Sequence, residues 1–430
     1  MSDNIEMTPE ARWRHLRERG TKVLVDLSSP DLISEKPSWL DEARFARAKA
    51  AVEQYYLGIV YSSLTGLLLI LQLPDGLEPL LVTGNSKDIP SLYKRYLSTI
   101  LHVNSWYEDD IFNPETKGYK SIRQVRSMHK RVQELMNERH RVRDVEGKEH
   151  LWMTQYDVAI TQFAFIGLAM LYPKKSALIA ASPEDLELIN YYWRVLGWMM
   201  GMRDEFNGCQ FDKYADIKEF NRLLFEHEFK DKFKEQPCPL GLEMTKSICI
   251  ALQYYTPLVT FNSLAHWWSD CFSFNGYELQ PKTTKDKILL FWTDLSFSRL
   301  LKHKGFLSFS NKLHKKRFES RLLKRDEVYK QLKDRYQNCP HLTYYSDRVD
   351  YFNKNSTPVK VQDSNNNNNN NNEENNNNNE NNNNNNNDNQ VVNVKIKQQV
   401  SPLATTTFKG CPMGYDAVLP ALHPEPIASA

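Results

Sequence analysis

Three short segments carry the residue types from which a reaction site could be assembled. In "SLYKRYLSTILHVNSWY", Arg95, Ser98, Thr99 and His102 fall at i, i+3, i+4 and i+7. On a helix that spacing puts them on one face. A guanidinium, two hydroxyls and an imidazole in a row suit a pocket wall that holds an anion or an oxygen ligand; an exposed polar stripe has the same pattern. In "SIRQVRSMHKRV", His129 stands among Ile122, Val125 and Val132 at helical spacing, and among Arg123, Arg126, Lys130 and Arg131. Three readings are open for it: a core histidine, a phosphate or membrane contact, or a ligand to a metal. In "MTQYDVAITQFAFIGLAML", Gln155 and Asp157 are candidate caps of a strongly apolar helix, with Thr161 one turn in from Asp157.

Other chemistries find no matching pattern. There is no phosphate-binding GxxxxGK[ST] loop, no HExxH, no GxSxG and no strand-borne GxGxxG. The histidines are spread out, and no cluster of histidines and carboxylates has non-haem metal spacing. Six cysteines are scattered without a CxxC pair, which points to free thiols in a reducing compartment. The formal charge of +2 gives no reason to expect a nucleic-acid partner. The polar, charged start "MSDNIEMTPEARWRHLRERG" does not read as a secretory signal.

The elements that must position these residues read as helices. Helical periodicity recurs over 91–104, 120–140, 155–171, 183–203 and 214–228, while alternating strand patterns are nearly absent up to residue 336. Ser182 followed by Pro183, Glu184 and Asp185 marks a helix start, and Ser38 is a candidate cap for another. The uncharged run 55–73 is about long enough to span a bilayer. Its Ser62, Ser63, Thr65 and Gln72 favour a buried core helix instead. After residue 240 a helical pair breaks near Pro257. Residues 299–336 are strongly basic with interspersed Leu and Phe, either a solvated face or an interfacial helix for anionic lipid.

The expected organisation is a polar lead-in over 1–37, a helical domain over 38–340 and a linker over 341–363. An asparagine-rich segment over 364–390 follows, then a flexible tail over 391–430. The asparagine run is too poor in apolar residues to offset chain entropy and is expected to be disordered.

The order of these segments resembles the haem-dependent oxygenase family of latex clearing protein (rubber oxygenase) and the endoplasmic-reticulum-bound MpaB-type oxygenases. "VRSMH", Val125 to His129, matches the family's VRxxH helix, whose histidine is the proximal haem-iron ligand. "RYLST", Arg95 to Thr99, matches an Arg-x-x-x-Thr distal helix, and "LLVTG", residues 80–84, fits the lead into it. "TQYDVAIT", Thr154 to Thr161, matches Asn-Gln-x-Asp-x-x-x-Thr with Thr154 in place of Asn. "WRVLGWMMG", Trp193 to Gly201, corresponds to a W-R-x-x-G-x-x-x-G helix. The resemblance covers roughly residues 38–210, and its strength lies in the order and spacing of motifs that are individually short. Two departures stand out: Ser98 replaces the lysine that can sit on the iron, and Gln133 replaces an Arg four residues after the histidine. They bear on rubber cleavage and leave the broader chemistry, dioxygen activation on haem.

The resemblance implies an all-α, globin-like helical bundle around a haem b pocket, with His129 as proximal ligand. Arg95 is then expected at a haem propionate or the iron-bound oxygen, and Thr99 as a donor to the distal oxygen. Arg126 is expected beside the propionates and Thr161 in the cofactor pocket. His102, one turn beyond Thr99, is a candidate sixth ligand, which is not a family feature. The implied partners are dioxygen and a hydrophobic small-molecule or polyprenyl substrate, with a membrane surface as a further candidate. The location that goes with this is intracellular: cytoplasmic or peripheral on a membrane such as the endoplasmic reticulum. Two other readings compete, a non-catalytic haem binder and a membrane-associated structural protein without cofactor.

Overall fold

Three helices begin with the same reciprocal device. Thr154, Ser182 and Thr283 each accept a hydrogen bond from the backbone N–H of an aspartate three residues on, and that aspartate's carboxylate accepts from the cap's own N–H. Two otherwise unpaired donors are satisfied at each start. In the computed structural model, the residues described are 8–27, 36–139, 150–230, 238–257, 259–272 and 282–336. They all lie in one compact unit, Met1–Thr357; a second unit, Pro358–Ala430, lies outside them. The linker at 341–363, the asparagine-rich segment and the tail therefore lie outside the described residues.

Among the described residues the architecture is all-α, with a single isolated bridge, Leu24 to Thr154, as the only β pairing. In chain order the helices are α1 (Pro9–Arg19), α2 (Glu42–Gln54), α3 (Tyr56–Ile70), α4 (Pro74–Val82), α5 (Ile89–Glu108), α6 (Lys117–Arg139) and α7 (Gln155–Leu171). They continue with α8 (Pro183–Met199), α9 (Tyr214–Leu224) running into a π-helical turn (Phe225–Lys230), α10 (Pro239–Leu252), α11 (Phe261–Phe272), α12 (Thr284–Ser298), α13 (Lys304–Leu322) and α14 (Arg325–Tyr336).

Two boundaries differ from the sequence reading. Ser38 is not a cap: it lies in a turn in which the Leu40 N–H donates to the Pro37 carbonyl, and Asp41 caps α2 by accepting from the Arg44 N–H. Asp41 wins because its carboxylate stands directly before the first helical residue. The polar lead-in contains α1, which is capped by Thr8, buries Leu16 and packs on α9. Its polarity misled because the one-sided apolar contribution is small. Arg12, itself buried, donates to the Glu205 and Asp204 carbonyls.

The centre of the bundle is the pair α3 and α7, whose side chains enter both hydrophobic core clusters. They approach so closely that a Cβ at Gly66 would lie 1.9 Å from the Ala164 carbonyl oxygen. The uncharged run 55–73 is thus a core element. Three of its polar residues find partners: Ser63 donates to the Phe165 carbonyl, Thr65 to that of Ser62, and Gln72 to the Thr245 hydroxyl. Among the described residues no single helix is long and apolar enough to cross a membrane; α3 and α4 pass that test only jointly, with an 88° bend between them.

Far along the chain, Asn311 in α13 closes the junction between α2 and α3. Its amide donates to the Gln54 carbonyl at 2.7 Å and accepts from the Leu57 N–H at 3.1 Å.

Candidate active site

His129 projects from the buried side of α6, between two clamps. One turn before it, Arg126 is buried and donates to the Met199 carbonyl at 2.9 Å and the Asp26 carbonyl at 3.0 Å. Four residues after it, Gln133 donates to the Val25 and Met153 carbonyls at 3.1 and 3.0 Å. Asn137, a further turn on, exchanges hydrogen bonds with the backbone of Trp152 in both directions. These contacts fix the rotation and height of α6 against residues 25–26, 152–153 and the end of α8. Met199 closes α8, where the last carbonyls lack intrahelical partners, so a guanidinium there also opposes the negative end of the helix dipole. Two N–H groups of the Arg126 guanidinium, expected at the propionates, are given to these backbone carbonyls.

The histidine itself is half-buried by surface yet lies deep among protein atoms. Burial, followed by the charges of Arg95 and Arg126, pushes its pKa down from 6.5 to about 4. It is therefore a neutral imidazole at neutral pH. Among the described residues, no group hydrogen-bonds either ring nitrogen. A neutral imidazole with neither nitrogen engaged is the form that ligates a metal. No group of three or more His, Cys, Asp or Glu gathers to hold a bare ion among the described residues. Haem asks less of the protein, since the porphyrin supplies the equatorial nitrogens and one imidazole suffices. The residues present fit that group.

Helix α5 runs antiparallel to α6, and two contacts set the register. A Cβ at Gly118 would lie 2.8 Å from the Ser105 carbonyl oxygen, and His102 Nδ1 lies 2.7 Å from the Ser121 hydroxyl. Continued along the pair, this register brings residues 94–95 level with His129. Arg95 therefore stands at the level of the histidine, and its charge acts on the imidazole. Its guanidinium donates to Thr83 Oγ1 at 3.0 Å and Ser86 Oγ at 3.2 Å. Those two hydroxyls lie where α4 ends: Thr83 is its last half-helical residue, and Gly84 takes φ +70°, the left-handed conformation that glycine supplies at helix ends. The "LLVTG" segment is thus the seat of Arg95. Thr83 and Ser86 went unassigned in the sequence reading, although the segment itself was legible.

On the polar face of α5, His102 reaches α6 and Arg95 reaches the end of α4. Arg95, Thr99 and His102 are half-buried, whereas Ser98 is exposed on the flank. Thr99 donates to the Arg95 carbonyl within its own helix at 3.1 Å, and Thr161 does the same to Asp157 at 2.9 Å. Each hydroxyl oxygen keeps acceptor capacity. His102 is not brought to His129. Its Nδ1 is engaged with Ser121, which also accepts from the Trp106 indole N–H at 2.9 Å. Ser121 lies eight residues before His129 in α6, roughly 12 Å along the axis. The sixth-ligand expectation for His102 fails on this register.

Thr154, and neither Gln155 nor Asp157, is the cap residue of α7; Asp157 completes its box. Gln155 is fully buried, donating to the Gly201 carbonyl and accepting from the Arg203 N–H. Two clefts of about 240 and 440 Å³ lie near the C-terminal end of α7, around Leu171 and Tyr172, and contain none of these site residues.

The imidazole gives a measurable acid signature. An unfolded histidine titrates near 6.5, and His129 in the folded chain near 4. Between those values the unfolded chain takes up the proton and the folded chain does not. Its contribution to stability is complete above pH 6.5 and is lost as pH falls toward 4, by at most about 1.4 kcal/mol per pH unit. Urea midpoints followed against pH should show this fall in the wild type and a shallower one in His129→Phe. Equal slopes would place the imidazole in water.

No curated protein and no solved structure matches the chain. Residues 56–238, from the start of α3 to the residue before α10, match the family model described as the catalytic domain of ER-bound oxygenase mpaB/B′ and rubber oxygenase. Arg95, Thr99, His102, Arg126, His129 and Thr161 all lie inside that stretch, which is similar to this family of oxygenase catalytic domains.

Proposed function

We propose that the chain is a haem b-dependent oxygenase that uses dioxygen to oxidise or cleave an alkene of a hydrophobic, isoprenoid-like substrate. The observation that carries this reading is His129: neutral, unengaged at both nitrogens among the described residues, and level with Arg95 on the facing helix. Haem b, when bound, would supply the electron exchange that activates dioxygen. The chain's own part is placement. His129 would hold the iron through one ring nitrogen, kept in position by Arg126 and Gln133 on either side. Arg95 brings a fixed positive charge, seated on Thr83 and Ser86, to bear on His129. Such a charge favours anionic groups there, whether carboxylates or developing negative charge on oxygen. Thr99, next along the same stripe, offers a hydroxyl. Ile100 and Leu101 follow it on α5, partly exposed and packed against the larger core cluster, and give the apolar side chains an alkene needs.

The non-catalytic haem protein draws its support from a closed sixth position, and the engagement of His102 with Ser121 works against that. The test is a titration of the purified full-length chain with haemin, followed by oxygen uptake. The reading expects a Soret band that saturates near one equivalent, and oxygen consumption that depends on an added polyprenyl alkene. Absence of the band overturns the haem assignment. A band without substrate-dependent uptake overturns the oxygenase reading in favour of a haem binder.

A further inference from the structure

Helix α12 is poorly covered by the rest of the protein. Its N-terminus is tied down: Asp286 accepts from Thr283 and from the Thr260 hydroxyl and Asn262 amide at the start of α11. Phe297, near its other end, packs edge-on against Tyr61 of α3 at 4.8 Å. Between these anchors, Ile288, Phe291 and Trp292 are 53, 63 and 54% exposed. With Leu295 they occupy i, i+3, i+4 and i+7, a single outward stripe. A 3-10 turn at Leu300–Lys302 leads into α13, where Phe306 and Phe309 are also exposed, the latter by 59%, with their rings 6.5 Å apart. The outward direction of these phenylalanines is fixed, because Leu307 and Asn311 bury the opposite side of α13 and Asn311 is hydrogen-bonded to the α2–α3 junction.

Exposed single apolar side chains are ordinary; five large ones on two consecutive helices are not. Their charged surroundings point to the partner. Residues 282–317 hold ten Lys and Arg against two acidic residues, and one of those two, Asp286, is buried. Lys285, Lys287, Arg299, Lys302 and Lys304 are exposed around the aromatic stripe. Exposed Trp and Phe beside a dense set of Lys and Arg is the composition of a surface that sits at the headgroup level of an anionic bilayer. A protein partner of ordinary mixed charge would not call for this one-sided rim.

We propose that α12, the Leu300–Lys302 turn and the start of α13 form a docking surface for anionic lipid membranes. The aromatic stripe inserts at the interface while the lysines meet the headgroups. Attachment here would place the bundle beside a store of hydrophobic substrate, but the proposal does not rest on the haem reading and is measured without activity.

The test is flotation of the full-length chain with phosphatidylcholine vesicles, with and without about 30% phosphatidylserine. Expected is binding only to the anionic vesicles, weakened by raised salt. Lys302→Glu/Lys304→Glu should lower the partition coefficient roughly tenfold or more, and Phe291→Ser/Trp292→Ser should abolish binding at moderate salt. Both pairs are exposed, so the thermal unfolding of the variants should match the wild type. Failure of the wild type to float, or binding indifferent to either double variant, overturns the proposal. So does a concentration-dependent dimer that Phe291→Ser/Trp292→Ser dissolves, which would assign the stripe to a second copy of the chain.

Discussion

His129→Ala is expected to strip the Soret band from the haem-loaded chain, or to weaken haem affinity by roughly a hundredfold or more. The estimate follows from the loss of an iron ligand in a family of sites where even secondary contacts change affinity ten- to a hundredfold. The contrast with His102→Ala makes the expectation sharp. His102 shares a helical face with Arg95, but its Nδ1 lies against Ser121, away from the level of His129. Removing it should cost about 1–2 kcal/mol of stability by leaving Ser121 short of a partner, and should leave the absorption spectrum in place. Added imidazole should restore the band in His129→Ala if the ring's place is a ligand site beside the iron. A spectrum that survives His129→Ala, or one that disappears with His102→Ala in a folded protein, would reverse the assignment.

The second large effect concerns the bundle's centre. Gly66→Val is expected to prevent stable folding, and Gly66→Ala to lower stability by ~3 kcal/mol or more, at or above the upper range of overpacking costs. A Cβ there would stand 1.9 Å from the Ala164 carbonyl oxygen. Backbone cannot give way as a flexible side chain can, so α3 and α7 would have to part. Both helices feed both core clusters, and the loss would spread along the whole contact. Total stabilities of about 5–15 kcal/mol leave little room for that. Gly305→Ala in α13 is the control: nothing lies within 4 Å of its Cβ position, and alanine should be neutral or gain up to about 1 kcal/mol from helix propensity. Chemical denaturation of the two alanine variants separates these outcomes, and equal midpoints would mean that the α3–α7 approach is looser than described.

The helices were legible because their periodicity and caps are local. Ser182 with Asp185 three residues on marks the start of α8 in sequence and structure alike. At α7 the departure from the family pattern proves conservative: Thr154 stands where Asn is usual, and either residue caps a helix well. The polar face of α5 was equally legible, since spacing alone defines it. What each member of that face meets was not. Arg126 looked like a cofactor partner because a cation stands beside a candidate ligand, but its acceptors are Met199 and Asp26, 73 and 100 residues away. Gln133 looked like a loss relative to the family arginine, yet it makes a comparable carbonyl contact from the next position along the same side of α6. His102 and Arg95 are indistinguishable as sequence neighbours; only the register of α5 against α6, set through Ser105 and Ser121, separates them.

The hydrogen bonds of Asn311 also constrain the order of assembly. Gln54 and Leu57 flank the break between two helices near the start of the fold, and the side chain that satisfies their exposed carbonyl and N–H arrives 257 and 254 residues later. During synthesis the α2–α3 junction must leave the ribosome with those groups in water and wait for α13. Contacts of such long sequence separation form late and slow the search for the native state. The α2–α3 corner is therefore sealed only once α13, which carries part of the exposed aromatic stripe, has been made.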